Sequence, residues 1–162
     1  MVFILWPLPQ LTEVKILPYQ ARQMYDLVID VDSYSEFLPW CKKSRVVKNI
    51  TEDNLHADLV IHFKAFNERY RSDVRFHKEG ETYIVESKAI SGPFKDLFSR
   101  WEITPIQCAG SEEQESESCE VKFYLSFKFN SFFLEKMIGA IFEKAAHKMI
   151  NSFQDRAKIL FS

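Results

Sequence analysis

From Phe132 to Leu160 the chain has no proline and places Leu134, Met137, Ile138, Ile141, Ala145, Met149, Phe153 and Ala157 at helical spacing. That pattern predicts one long amphipathic helix, with Asn130-Ser131 supplying cap chemistry before it. An apolar stripe of this extent has to be covered by another layer of structure, which rules out any arrangement in which the helix stands alone. Its other side carries Glu135, Lys136, Glu143, Lys144, His147, Lys148, Gln154 and Asp155 and reads as a solvated face of ordinary charge pairs.

The covering layer is written upstream with a period of two. Leu55, Ala57, Leu59, Ile61 and Phe63 alternate with His56, Asp58, His62 and Lys64, and Tyr70, Ser72, Val74 and Phe76 alternate with Arg69, Arg71, Asp73 and Arg75. Thr82–Ala89 and Leu97–Ile103 continue the pattern, and Val121, Phe123, Leu125, Phe127 and Phe129 form its clearest apolar face. These are half-buried antiparallel strands with one aromatic side. Before them, Thr12–Leu17 alternates apolar Val14 and Ile16 with polar neighbours and reads as a first strand ended by Pro18. A helix carrying Ala21, Met24, Tyr25 and Val28 on one face follows, with Pro18 suited to its first turn. A second short helix is predicted from the capping-box spacing of Ser33 and Glu36, stopping near Pro39.

At 162 residues the chain has room for one sizeable core. The unusual quantity is 15 Phe, with 6 Tyr and 3 Trp, more rigid apolar surface than such a core needs, so part of it is expected to line a cavity. Cys41, Cys108 and Cys119 form an odd, widely spaced set without a CxxC pair, which excludes a disulfide framework or thiolate zinc site and fits a reducing compartment. The four histidines are scattered, so no metal site and no catalytic triad is expected. No apolar run reaches bilayer length, and residues 1–8 lack a basic flank and are broken by Pro7, so neither a signal peptide nor a transmembrane helix is expected. Residues 110–120, with five glutamates and three serines, read as a solvated hairpin loop.

The expected fold is therefore α+β, one domain over residues 1–162 with an N-terminal extension at 1–8. A curved antiparallel sheet wraps a long C-terminal helix, with two short helices after the first strand. This is a helix-grip arrangement whose twisted sheet leaves a gap at one end.

Tyr25-Asp26-Leu27-Val28 running into the segment from Asp30 to Cys41, which contains Tyr34-Ser35-Glu36-Phe37-Leu38-Pro39-Trp40, resembles the signature of the coenzyme Q-binding proteins. These belong to the START and polyketide-cyclase superfamily. Ser91-Gly92-Pro93-Phe94-Lys95-Asp96-Leu97 followed by Trp101 resembles that family's glycine-proline-phenylalanine loop and tryptophan-bearing strand. The likeness covers approximately Leu11 to Leu160 and omits residues 1–8 and the acidic loop. Ser35 stands where the family pattern has proline.

The resemblance implies a START-like cavity that holds ubiquinone or a similar isoprenoid quinone and delivers it in support of respiratory electron transport. It also implies no catalysis, metal or resident cofactor. It implies a cytoplasmic bacterial protein, peripheral to the inner membrane, with transient contacts to the membrane surface or to respiratory complexes. The residue chemistry agrees in kind, since a quinone ring on an isoprenoid tail needs apolar walls, flat aromatic surfaces and few donors. Burying about 400 Å² of tail would contribute on the order of 10 kcal/mol gross, most of it offset by ordering the chain and leaving the membrane. The modest net affinity suits a carrier.

The candidate ligand-binding residues are Leu38 and Trp40 at the end of the second helix, Phe94 and Leu97 at the loop, and Trp101, Phe123 and Phe127 on the sheet. Met137 and Ile141 on the long helix complete the set. Trp101→Ala is expected to lower quinone recovery more than folded yield. Phe94, Lys95, the basic Lys42-Lys43-Arg45 group and residues 2–6 are expected to meet the membrane interface.

Two rivals stand beside this reading. Some similar bacterial proteins are described as ribosome-association toxins acting on the large subunit, and Arg69, Arg71 and Arg75 on one strand face would then meet rRNA phosphates, although Asp73 and Glu68 interleave them. A polyketide cyclase or aromatase would need an acid or base in the pocket, where the inward parity offers Tyr70, Ser72 and Ser87 but no carboxylate or histidine.

Overall fold

Seven strands form one antiparallel sheet in the order β1, β7, β6, β5, β4, β3, β2. The computed structural model describes residues 10–107 and 116–162. β1 is Gln10–Leu17, β2 Cys41–Thr51, β3 Asn54–Phe63, β4 Phe66–Glu79, β5 Thr82–Ser91, β6 Phe94–Pro105 and β7 Cys119–Phe129. From β2 to β7 each strand lies beside its predecessor, and β1 pairs with the far side of β7. Helix α1 (Ala21–Ile29) and a 3-10 helix (Val31–Glu36) carry the chain from the β1 edge to the β2 edge, and α2 (Phe132–Phe161) follows β7. The α+β class and the curved sheet with its long terminal helix are as expected.

Period-two patterning sets which side of the sheet is buried. Leu55, Ala57, Leu59 and Ile61, then Tyr70, Ser72 and Val74, then every second residue from Val121 to Phe129, are all buried on the side that meets α2. The rings interlock there: Trp101 lies 4.5 Å from Phe123 and 4.9 Å from Phe153 of α2, and Phe142 of α2 lies 4.6 Å from Phe127.

The polarity of β1 is the reverse of the expected one. Val14 and Ile16 are exposed, and it is Leu11 and Leu17 that are buried. Pairing with β7 decides this, because Leu11 lies opposite Leu125 and Leu17 opposite Cys119, so inward residues of β7 force the same parity on β1. Glu13 and Lys15 consequently face α2, where Glu13 Oε1 lies 2.6 Å from His147 Nδ1 and Lys15 donates to Asn151 and Gln154. The polar side of α2 is thus joined to other elements, Arg156 Nη2 also donating to Glu36 Oε2 at 2.7 Å.

The short helices and the acidic loop also differ from expectation, and β2 was not expected at all. Ser33 does not cap a helix; it lies inside the 3-10 turn and donates to Asp30 Oδ2 at 2.6 Å, while the Glu36 carboxylate is taken by Arg156. A capping box exists one helix earlier, between Gln20 and Gln23, which leaves Pro18 outside α1. β2 carries no period-two signal, because its ladder is shifted between Cys41 and Lys43, Val46 and Lys48, and Asn49 and Thr51. Of the acidic loop, Cys119 and Glu120 belong to β7 and Cys119 is wholly buried; residues 1–9 and 108–115 lie outside the described residues.

The two halves of α2 are held unequally. Its buried side chains are Ala145, Ala146, Ile150, Phe153 and Ala157, all from the middle of the helix onward, where the three polar links just named also lie. The first half is fixed at its start, where Ser131 Oγ accepts from Leu134 N and Glu135 Oε2 accepts from Phe129 N.

Gly92 closes the β5–β6 turn with φ 125°, and a Cβ there would stand 2.6 Å from Tyr70 Cβ. Its carbonyl accepts from Asn130 Nδ2 and the Pro93 carbonyl from Asn130 N, tying this turn to the start of α2. Gly92→Ala therefore meets both a forbidden backbone region and a filled space. The expected cost is about 2–4 kcal/mol, a fall of roughly 5–15 °C in thermal midpoint. An unchanged melting curve would contradict the close approach to β4.

Candidate ligand cavity

Sheet and helix do not meet along their whole length. Where α2 presents Ala145 and Ala146, its side chains are too short to reach the sheet, and Phe142, Met149 and Phe153 stand around the gap. A chamber remains, with about 840 Å³ of space free of protein atoms, partly open to solvent, and about 90 Å³ in which the centre of a water molecule can sit. One such position needs only ~10–15 Å³, so this is a true void and not loose packing.

Its floor comes from five strands: Leu59 and Ile61 of β3, Tyr70, Ser72 and Val74 of β4, Val85 and Ser87 of β5, Leu97, Ser99 and Trp101 of β6, and Leu125 of β7. Val31 and Tyr34 of the 3-10 helix and Trp40 close one side. A second, smaller apolar pocket adjoins the chamber, with room for about 10 Å³ by the same measure, no more than a single water position, and it is called the channel below. It shares Trp40, Ile61, Phe142 and Ala145 with the chamber and continues between Phe63 and Phe66 of the β3–β4 hairpin and Ile138 and Ile141 of α2. Met137 and Phe133, one and two turns before Ile141, are exposed, as is Phe132.

The candidate residues divide among these places. Trp40, Leu97 and Trp101 line the chamber and Ile141 lines the channel. Phe94 and Phe127 pack on Phe142 from behind the wall, with ring centres 5.5 and 4.6 Å away, and Phe123 is fully buried beneath Trp101. Leu38 is buried outside the cavity lining, and the Met137 side chain is exposed. Phe94 is also stacked on Phe129 at 5.0 Å, so the aromatic residues presented to solvent at this end are Phe132 and Phe133. Chamber-lining residues absent from the ligand-binding candidates include Phe142, Met149, Tyr34 and Ser99. The adjacent Ala145-Ala146 pair in a stripe of large residues was the available sign of a gap.

Electrostatically the chamber is quiet. Burial raises the Tyr34 and Tyr70 phenols above their ordinary range, so both are neutral donors at physiological pH; Tyr34 donates to the Val28 carbonyl. Trp40 Nε1 is buried without a partner. Burial likewise pushes the Cys41 and Cys119 thiols up to about 11, far from thiolate chemistry. Among the described residues no group of three His, Cys, Asp or Glu is placed to hold a metal ion, and no carboxylate or histidine lines the chamber. On the outer face of β4, Arg71 grips Asp58 with two hydrogen bonds of 2.7 and 3.1 Å and Arg75 pairs with Asp73 at 2.9 Å, so two of the three arginines considered for rRNA are engaged.

Among the described residues no helix is long and apolar enough to cross a membrane. The chain is 39% identical over 145 residues to a protein named ribosome association toxin RatA from Rickettsia prowazekii, covering 89% of this chain and 92% of the relative. It is 28% identical over 150 residues to the mitochondrial coenzyme Q-binding protein COQ10 homolog B from Xenopus laevis, covering 90% of this chain and 57% of that one. A START superfamily protein from Mycobacterium smegmatis has the same fold, with a TM-score of 0.75 at 12% identity over 93% of this chain and 98% of the other. The family described as polyketide cyclase / dehydrase and lipid transport matches residues 17–154, which include β2 to β7 and the cavity-facing part of α2, and the chain belongs to that family.

Proposed function

We propose that this protein binds an isoprenoid quinone, or a similar amphiphile, in the chamber and carries it without transforming it. The observation that supports this reading is the chemistry of the lining: apolar and aromatic side chains with a few neutral hydroxyls. Such a surface desolvates a ring and a tail at little cost, and it offers no charged group to move a proton at an enolisable carbon. The relative named for coenzyme Q binding supports the same ligand class. The test is organic extraction of the purified protein followed by mass spectrometry and an ultraviolet scan. Recovery of a polyprenyl quinone in a fixed ratio to protein is the expected result, and an extract without quinone, together with no uptake of added quinone, would overturn the reading.

Carriage also requires contact with the lipid source. The exposed Phe132, Phe133 and Met137, with Lys136 4.7 Å over the Phe132 ring, form an apolar tip with a basic neighbour, suited to an anionic bilayer surface. Substituting Phe132→Asp and Phe133→Asp together should reduce flotation with anionic vesicles severalfold while leaving the melting temperature nearly unchanged. Equal flotation of variant and parent would remove this tip from the membrane contact.

The second reading rests on the relatives named ribosome association toxin. Ribosome sedimentation with added protein separates the two: a shift from joined to separate subunits at stoichiometric protein favours this one, and unchanged profiles favour the carrier.

A further inference from the structure

The polar groups of the cavity are not spread evenly. Ser87 of β5 lies directly opposite Ser99 of β6, and Ser72 of β4 lies opposite Ala89, two residues along from Ser87. All three serines line the chamber, so they form one oblique row across three neighbouring strands, with Tyr70 one inward position from Ser72. Paired side chains on one sheet face stand about 5 Å apart and diagonal ones ~7–8 Å, a spacing that one six-membered ring with carbonyl and ether oxygens can bridge. Ser72 is only 2% exposed and Tyr70 8%. The channel holds none of these groups: Ile61, Phe63, Phe66, Ile138, Ile141, Phe142 and Ala145 are apolar, and Trp40, which lines both spaces, has its Nε1 buried and unpartnered.

Resting on the carrier reading above, we propose that the ligand enters ring first: an acceptor-rich head of the quinone class is held over the Ser72, Ser87 and Ser99 row with Tyr70. Its apolar tail runs back past Trp40 and Phe142 into the channel between the β3–β4 hairpin and α2, which has to widen beyond its present 10 Å³ or so to take it. Each part then meets matching chemistry. Reversing the ligand would strand the oxygens of the head among apolar side chains, where an unpaired polar group is costly, and would leave the serine hydroxyls facing a hydrocarbon. The chamber also suits the head by size, being wide where the channel is narrow.

The experiment uses two probes, a dimethoxy-methyl-benzoquinone without a tail and its decyl-tailed counterpart, titrated against the full-length protein. Quenching of tryptophan fluorescence is the readout, since Trp40 and Trp101 both line the chamber. Ser87→Ala with Ser99→Ala should weaken both probes by the same factor, about tenfold for two lost hydrogen bonds. Ile141→Trp, which narrows the channel, should weaken the tailed probe and leave the tail-less one nearly unchanged. Circular dichroism and melting curves confirm that both variants are folded; should Ile141→Trp fail to fold, Ile138→Phe replaces it. Serine variants with unaltered affinity for both probes, or a channel variant that weakens the tail-less probe as strongly as the tailed one, would overturn the orientation while the carrier reading stood. No quenching by either probe in the parent protein would overturn both together.

Discussion

On the carrier reading proposed above, Ala145→Phe is expected to yield a folded protein from which far less quinone is extracted than from the parent. Ala145 sits where the chamber opens into the channel and borders both. A phenyl ring there fills space that the parent leaves empty, so overpacking should cost at most about 1–3 kcal/mol, and filling a void offsets part of that. Ligand recovery should fall at least tenfold, because the ring occupies the place where head and tail meet in the proposed orientation. The measurement is the quinone-to-protein ratio after extraction, beside a thermal melt. A variant that melts like the parent and still carries its full load would show that the ligand lies elsewhere.

The largest effect on stability is expected from Phe153→Ala. Phe153 is 1% exposed, and its ring centre lies 5.2 Å from Tyr34, 5.0 Å from Phe37 and 4.9 Å from Trp101. One side chain of α2 therefore joins the 3-10 helix and the residue that follows it to the centre of the sheet. Truncation should cost about 3–5 kcal/mol, against a total of ~5–15 kcal/mol for an ordinary domain. The thermal midpoint should fall by roughly 10–20 °C, and a fall under about 5 °C would mean that the cluster relaxes around the loss. Trp101→Ala belongs with this variant: the ring lines the chamber, but it also rests on Phe123 and Phe153, so its removal acts on folding and on ligand at once. It is a poorer probe of binding than the sequence reading supposed.

How far the sequence could be read follows from which patterns are local. The strands β3 to β7 and the long helix were legible because alternation and helical spacing report burial residue by residue, and the buried sets from Leu55 to Ile61 and from Val121 to Phe129 follow them. β1 was misread at the level of its face: Val14 and Ile16 alternate as a core strand would, but the partner strand sets the parity of an edge strand, and nothing near residue 14 encodes which strand that is. β2 escaped because bulges break its period. The cavity was anticipated from an excess of aromatic residues, yet most of the rings named for it line its outside, as Phe94, Phe123 and Phe127 do. Large side chains build the walls, and the opening lies where Ala145, Ala146 and the three serines are small.

The unequal attachment of α2 has a kinetic corollary. Its second half is clamped by buried side chains and by links to Glu13, Lys15 and Glu36, whereas residues between the cap at Ser131 and Ala145 bury no side chain fully. Amide hydrogens in that first half should exchange with solvent deuterium at least ten times faster than those from Ala145 to Ala157, since local opening there breaks fewer contacts. Equal protection along the rod would rule this out. If the gradient holds, the rod can swing away from the β3–β4 hairpin while its far end stays docked, and admitting or releasing a bulky guest would require only this partial opening, with the rest of the molecule left folded.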